Sequence, residues 1–229
     1  MNKHIDLTTE NIRLSDNSPF AYREAYNLLR SNVMFALAAS ENSKKVIVVS
    51  SAAPAEAKSS VSSNLAISLA KLGKKVIIID ADLRKPKLHT IFEKKNSVGL
   101  TDVVVGNADF SKTVIKLDGM NLDFLPAGTI PPNPSELLSS TATHTFIESL
   151  ETLYDYVIVD TPPLLVVTDA LTLSPVAAGV ILSCKANQTS YNDFSGVVAS
   201  LKLANFPILG TVIVGGKTTK ISSREYVNL

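Results

Sequence analysis

Apolar residues in this chain fall into short unbroken runs rather than alternating with polar ones. Val46-Ile47-Val48-Val49, Val76-Ile77-Ile78-Ile79 and Val157-Ile158-Val159 are each uninterrupted. Strands buried on both faces read this way, and such burial implies a parallel sheet covered by helices on each side. Between the runs the period changes. Behind Pro19, residues Phe20, Tyr22, Ala25, Leu28, Leu29, Val33, Phe35 and Leu37 recur close to a helical spacing. The pattern predicts strands over 46–50, 75–80, 122–126, 156–160, 179–184 and 210–214. It predicts helices over 60–72 (stopped by Gly73), 86–92, 134–139, 143–153, 169–174 and 191–204. The expected fold class is α/β, a mostly parallel sheet with helices on both faces in a three-layer sandwich. Its connections should be right-handed, which gathers their loops at the carboxyl edge of the sheet.

Three polar stretches belong to that edge. Ala53-Pro54-Ala55-Glu56-Ala57-Lys58-Ser59-Ser60 follows the first strand and opens a helix. Backbone N–H groups and the helix dipole would there face an anion. Lys58 is placed to reach β- and γ-phosphates and Ser59 to offer a hydroxyl to magnesium. The plainer reading makes Lys58 an exposed surface lysine and Ser59-Ser60 an N-cap. Asp80 and Asp82 alternate along a strand end, so they point to one side. Two like charges so placed call for a cation or a proton, or one of them serves as base to an attacking hydroxyl. The plainer role is to cap the next helix, which suits one aspartate better than two. Asp160 ends a third strand before Thr161-Pro162-Pro163, whose prolines forbid further pairing. A carboxylate there can hold magnesium-bound water.

With 229 residues and 45% hydrophobic content, the chain supports one domain with extensions. The divisions expected are a flexible arm over 1–18, an N-terminal helix over 19–40, a catalytic domain over 41–216 and a flexible tail over 217–229. Twenty-two basic and twenty-one acidic residues exert no net pull on nucleic acid or an anionic membrane. Arg84-Lys85-Pro86-Lys87 and Glu93-Lys94-Lys95 read as solvated surface. Cys184 is the lone cysteine, within an apolar run, so a buried thiol is expected and no disulfide framework is available. His4, His89 and His144 lack a metal-ligand spacing. Residues 1–20 are polar, and no apolar run is long enough to span a bilayer. A cytoplasmic protein is expected, reaching the membrane only through a partner.

Taken together, these residues resemble the bacterial tyrosine kinases of capsule and exopolysaccharide assembly, which are P-loop ATPases with a second, Walker A′ aspartate motif. The resemblance spans about residues 20–216. Val76 to Pro86 is similar to the Walker A′ segment, Val157 to Pro163 to Walker B, and Asn64-Leu65-Ala66 to the helix after the phosphate loop. Gly99-Leu100-Thr101-Asp102-Val103-Val104 resembles the segment after Walker A′. Pro126-Ala127-Gly128-Thr129-Ile130-Pro131-Pro132-Asn133-Pro134-Ser135-Glu136-Leu137-Leu138 is more specific than any Walker motif and separates this group from the cell-division and partition ATPases. Physically, Asn133, Pro134 and Glu136 suit a capping box.

The resemblance implies ATP, Mg2+ and transfer of a γ-phosphoryl group to tyrosine. It places the nucleotide on Ala55, Glu56, Ala57, Lys58, Ser59, Ser60 and Gly215, and the metal on Ser59, Asp80 and Asp160. It makes Asp82 the base, alongside Asp80 and Lys58. It also implies a membrane-spanning polysaccharide co-polymerase as activating partner, which would bring the chain to the inner face of the plasma membrane. Ring-shaped homo-oligomers, with tail tyrosines docked into neighbouring sites, are implied as well. Glu24 and Arg30 fall in the ring-forming motif, where Asn27 replaces the first of two arginines. Other departures bear on activity. Ala55 and Ala57 stand where the family has glycine. If both positions need positive φ, the cost is about 2–4 kcal/mol, or roughly thirtyfold to several hundredfold in affinity. Gly215 replaces an asparagine that contacts adenine, and the tail offers one acceptor, Tyr226, instead of a cluster. A non-catalytic regulator of the same pathway is the competing reading.

Overall fold

Each of the six residues of β1, Val46–Ser51, is buried, as are all five of β2, Val76–Asp80. These runs lie in the middle layer of the molecule. In the computed structural model, which describes residues 13–39 and 44–216, five further strands complete the sheet. They are β3 (Ile115–Lys116), β4 (Leu122–Leu125), β5 (Tyr156–Asp160), β6 (Gly179–Lys185) and β7 (Ile208–Val214). The order across the seven strands is β3-β4-β2-β5-β1-β6-β7. Every pairing is parallel except the short β3 against β4. The mostly parallel three-layer α/β arrangement expected from the sequence is the one observed.

Alternate strand residues feed two cores. Val46, Val48, Ile77, Ile79, Val157 and Val159 face one side, with Leu138, Ile147, Leu150, Val197 and Leu201. These come from α6 (Pro134–Ser139), α7 (Thr141–Leu150) and α8 (Tyr191–Leu203). Ile47, Val49, Val76, Ile78 and Ile158 face the other, with Val33, Val61, Leu65 and Leu69. These come from α1 (Phe20–Ala38) and α2 (Lys58–Ala70). Eleven of the thirteen residues of α2 are buried, because α1 covers the side turned from the sheet. Its five serines and two alanines are small enough to pack against both layers. The buried serines are satisfied, Ser62 and Ser63 donating to the carbonyls of Ser59 and Ser60.

The structure differs from the sequence expectation in several places. Residues 13–18 pack on the domain: Leu14 is buried, and its N–H donates to Asn64 Oδ1 at 2.7 Å. The arm expected over 1–18 therefore includes an anchored end, whereas 1–12 lie outside the described residues. Short helices α3 (Leu88–Ile91), α4 (Leu100–Val104) and α5 (Phe110–Thr113) fill the region between β2 and β3. Only α3 was foreshadowed, because four or five residues carry too little periodicity to read. The segment at 169 is a 3-10 helix, Asp169–Leu173. Asn133 precedes α6 without the expected capping box. Its side-chain N–H donates to Glu136 Oε2 at 3.0 Å rather than its oxygen accepting from the backbone.

Candidate functional site

The loop between β1 and α2 turns on two residues in the left-handed region, Ala55 at φ 64° and Ala57 at φ 60°. Ala57 ends the loop and leads into α2, whose first turn has no side-chain cap. Its free N–H groups are the anion-binding feature of such a helix start. Glu56, between the alanines, is turned inward. Its Oε2 accepts from Ala53 N–H at 3.0 Å, its other oxygen from the Thr189 hydroxyl, and its carbonyl from the Ser183 hydroxyl. The Glu56 side chain thus braces the loop against the end of β6; only its backbone is left to serve an anion.

Lys58 opens α2 and reaches across the carboxyl edge. Its ammonium lies 2.7 Å from Asp82 Oδ2 and 3.7 Å from Asp160 Oδ2. Only 11% of the side chain is exposed, so it is no ordinary surface lysine. Burial would lower its pKa, but Asp160 and Asp82 overcome this and raise it. Ser59 donates to Asp160 Oδ2 at 2.6 Å and Ser62 to Oδ1 at 3.1 Å. Asp80 and Asp160 sit opposite each other in register on neighbouring strands. Burial foremost, and then the Asp160 charge, push the Asp80 carboxyl up to about 8. Burial likewise raises Asp160, against the pull of Lys58. Lys58, Asp80, Asp82 and Asp160 therefore form one buried cluster, three carboxyl groups to one ammonium.

Asp80 is oriented differently from a free metal ligand. Its Oδ1 accepts from Asp82 N–H at 3.3 Å, and its Oδ2 from Lys87 N–H at 3.1 Å and Leu88 N–H at 2.9 Å. It therefore holds the loop carrying Asp82 and the start of α3. Asp82 keeps Oδ2 on Lys58, while Oδ1 accepts from Lys85 N–H at 3.0 Å. Among the described residues, no three His, Cys, Asp or Glu side chains form a metal cage. Magnesium is commonly held by one or two protein oxygens with phosphate and water completing the shell. The hard oxygens of Ser59 and Asp160, side by side at the carboxyl edge of the sheet, fit that ion.

Contacts between stretches far apart in the sequence frame the site. Asp169 is fully buried and takes the Arg84 guanidinium through Nε at 2.9 Å and Nη2 at 3.1 Å. Ser135 bonds both partners. This joins the loop after β2, the start of α6 and the segment after β5. Asp102 Oδ2 accepts from the N–H groups of Gly99 and Thr129. A Cβ on Gly99 would stand 2.1 Å from the Pro126 carbonyl oxygen, so only glycine permits this approach.

The remaining expected residues lie further out. Ser60 is half-buried in the first turn of α2, and its carbonyl faces the Tyr26 hydroxyl at 3.5 Å. Gly215 follows β7 at φ 75° with open space around it. Glu24 is exposed and accepts from the Asn27 side chain at 2.8 Å. Arg30 turns inward, donating to the Ser68 carbonyl and hydroxyl, each at 3.1 Å. Tyr226 lies outside the described residues. No helix among the described residues is long and apolar enough to cross a membrane. Cys184 is buried, as expected.

Residues 44–205 match a family model described as an AAA domain. Over 203 residues the chain is 39% identical to the tyrosine-protein kinase YwqD of Bacillus subtilis, covering 89% of this chain and 85% of that protein. It is 31% identical over 191 residues to the tyrosine-protein kinase CpsD of Streptococcus agalactiae, covering 83% and 82% of the two chains. Among solved structures, the kinase domain of the Escherichia coli tyrosine kinase ETK superposes with a TM-score of 0.81 at 30% identity. That match covers 92% of this chain and 85% of the other.

Proposed function

This chain belongs to the bacterial tyrosine-kinase family of P-loop ATPases, and we propose that it transfers the γ-phosphoryl group of ATP to tyrosine hydroxyls, its own Tyr226 included. The pathway served is the synthesis and export of a capsular or extracellular polysaccharide. The observation that carries this reading is Lys58, held between Asp82 and Asp160 at the first turn of α2. Backbone N–H groups of the 53–60 loop would cradle the phosphates, with Lys58 on the β and γ groups and Gly215 near the base. Ser59 and Asp160 would hold magnesium. When bound, the metal supplies positive charge to the phosphate oxygens.

The chain's own groups couple occupancy to chemistry. The Lys58 ammonium neutralises Asp82 at 2.7 Å. Phosphate oxygens compete for that ammonium. An Asp82 carboxylate relieved of it becomes a better acceptor for the phenolic proton of an attacking tyrosine. Asp80 keeps the Asp82 loop fixed through three backbone bonds, and positioning of this kind carries much of phosphoryl transfer. The methyl groups of Ala55 and Ala57 narrow the approach to the loop, so turnover is slow.

A membrane-spanning co-polymerase would recruit the chain to the inner membrane face and activate it. Self-association would use the outward side of α1, where Leu28 and Phe35 are 63% and 72% exposed near Glu24. Arg30 would need to leave Ser68 to join such a contact. Incubating the full chain with millimolar ATP and magnesium, then blotting for phosphotyrosine, tests the reading. Signal is expected from the unmodified chain and not from Asp82→Ala or Lys58→Met. Calorimetric nucleotide binding without phosphotyrosine, even with the membrane subunit present, would identify a non-catalytic regulator instead.

A further inference from the structure

A tyrosine accepts phosphate only when its hydroxyl can enter an active site. The described residues include five tyrosines, and four are withdrawn. Tyr22 and Tyr26 stack edge to face between α1 and α2, the Tyr22 hydroxyl accepting from Asn64 and the Tyr26 hydroxyl facing the Ser60 carbonyl. Tyr154 is buried and donates to Asp123 at 2.7 Å. Tyr156 is half-buried at the start of central strand β5, on the edge of the sheet opposite the phosphate loop. Tyr191 differs from all of them. It is 82% exposed, and among the described residues none hydrogen-bonds its hydroxyl.

Its base is rigid. Tyr191 is the first residue of α8, beyond the carboxyl end of β6, on the same edge as the phosphate loop. Ser190 caps α8 by accepting from Asp193 N–H at 3.0 Å. The Thr189 hydroxyl accepts from Lys185 N–H at 2.8 Å and donates to the Glu56 carboxylate. The backbone before Tyr191 is thus fastened to the loop itself, while the ring projects into solvent.

We propose that Tyr191 is a phosphoacceptor within the folded domain, modified by the active site of another copy of this chain. The proposal rests on the kinase reading above. The Tyr191 oxygen forms a bond to the γ-phosphorus of ATP, and the bond from that phosphorus to the β,γ-bridging oxygen breaks. ADP leaves with the electron pair, and the phenolic proton passes to Asp82 of the acting copy. The product adds about −1.5 to −2 charge two residues from the Thr189–Glu56 contact.

The test uses the full chain, Tyr191→Phe, Tyr226→Phe and the double variant, each incubated with ATP and magnesium and mapped by tandem mass spectrometry. Phosphate is expected on Tyr191 in the unmodified chain and in Tyr226→Phe. It is also expected on an isotope-labelled Asp82→Ala copy mixed with active chain. Total phosphotyrosine in Tyr226→Phe should exceed that of the double variant several-fold. Phosphate confined to Tyr226, or placed on Tyr22, Tyr26, Tyr154 or Tyr156 in preference to Tyr191, overturns this proposal and leaves the kinase reading standing. Absence of phosphate from the labelled copy overturns its intermolecular part. A chain with no phosphotyrosine at all, even with the membrane subunit present, overturns both readings.

Discussion

Ala55 and Ala57 show how a strain term can be assigned to the wrong equilibrium. Their positive φ values cost about 1–2 kcal/mol each. Counted against nucleotide affinity, that is the large loss anticipated from the sequence. The fold itself holds the loop in this conformation, through the bonds of Glu56 to Ala53, Thr189 and Ser183, so the strain weighs on folding. Only the two methyl groups remain to oppose the approach of phosphate. Replacing both alanines with glycine relieves the strain but restores about 0.4–1 kcal/mol per site of unfolded-chain entropy. For the pair, strain relief of about 2–4 kcal/mol exceeds the roughly 0.8–2 kcal/mol of entropy, a net gain of about 1–2 kcal/mol. The double variant should therefore melt a few degrees above the parent, at about 2–4 °C per kcal/mol for a domain of this size. Calorimetry should find ATP bound about tenfold tighter, equivalent to about 1.4 kcal/mol. Unchanged affinity would show that the methyl groups do not obstruct the phosphate.

At the scale of elements, the decisive contact is α1 lying along α2. Asn64 joins them, accepting from Leu14 N–H and donating to the Tyr22 hydroxyl, while Ser68 donates to the Tyr26 carbonyl and receives Arg30. Asn64→Ala leaves the buried Leu14 N–H without its acceptor, which costs about 1–3 kcal/mol. Urea unfolding should register that loss as a lower midpoint with an unchanged slope. A parent-like midpoint would mean that this end of the chain contributes nothing to the fold. Local sequence disclosed the strands, because Val-Ile runs leave no polar face, and it disclosed Asp80 and Asp160, because a carboxylate at the end of an apolar strand is conspicuous. It could not disclose Arg84 with Asp169, since 85 residues separate them and each alone resembles a surface charge. Glu56 was equally opaque: its inward turn depends on Thr189 and Ser183, which only the folded sheet brings near.

For the whole molecule, the carboxylate cluster links stability to pH. Asp80, raised to about 8 chiefly by burial, and Asp160, raised for the same reason, bind protons in the folded chain that the unfolded chain releases. Their contribution is fully present below the ordinary carboxylate range and is lost as pH rises through the folded values. The ligand-free chain should accordingly melt at progressively lower temperature between about pH 5 and about pH 8, and Asp80→Asn should flatten that slope. Calorimetric melting across this range measures it; a slope of opposite sign, or one unchanged in the variant, refutes the assignment. The packing of α1 on α2 carries a further consequence, because the first turn of α2 also carries Lys58 and Ser59, which the proposed function assigns to phosphate and metal. Whatever factor a protein docked on the outer side of α1 applies to ATP affinity, ATP must apply equally to the hold of that protein. A substitution between the two helices that alters this factor for one ligand must alter it identically for the other.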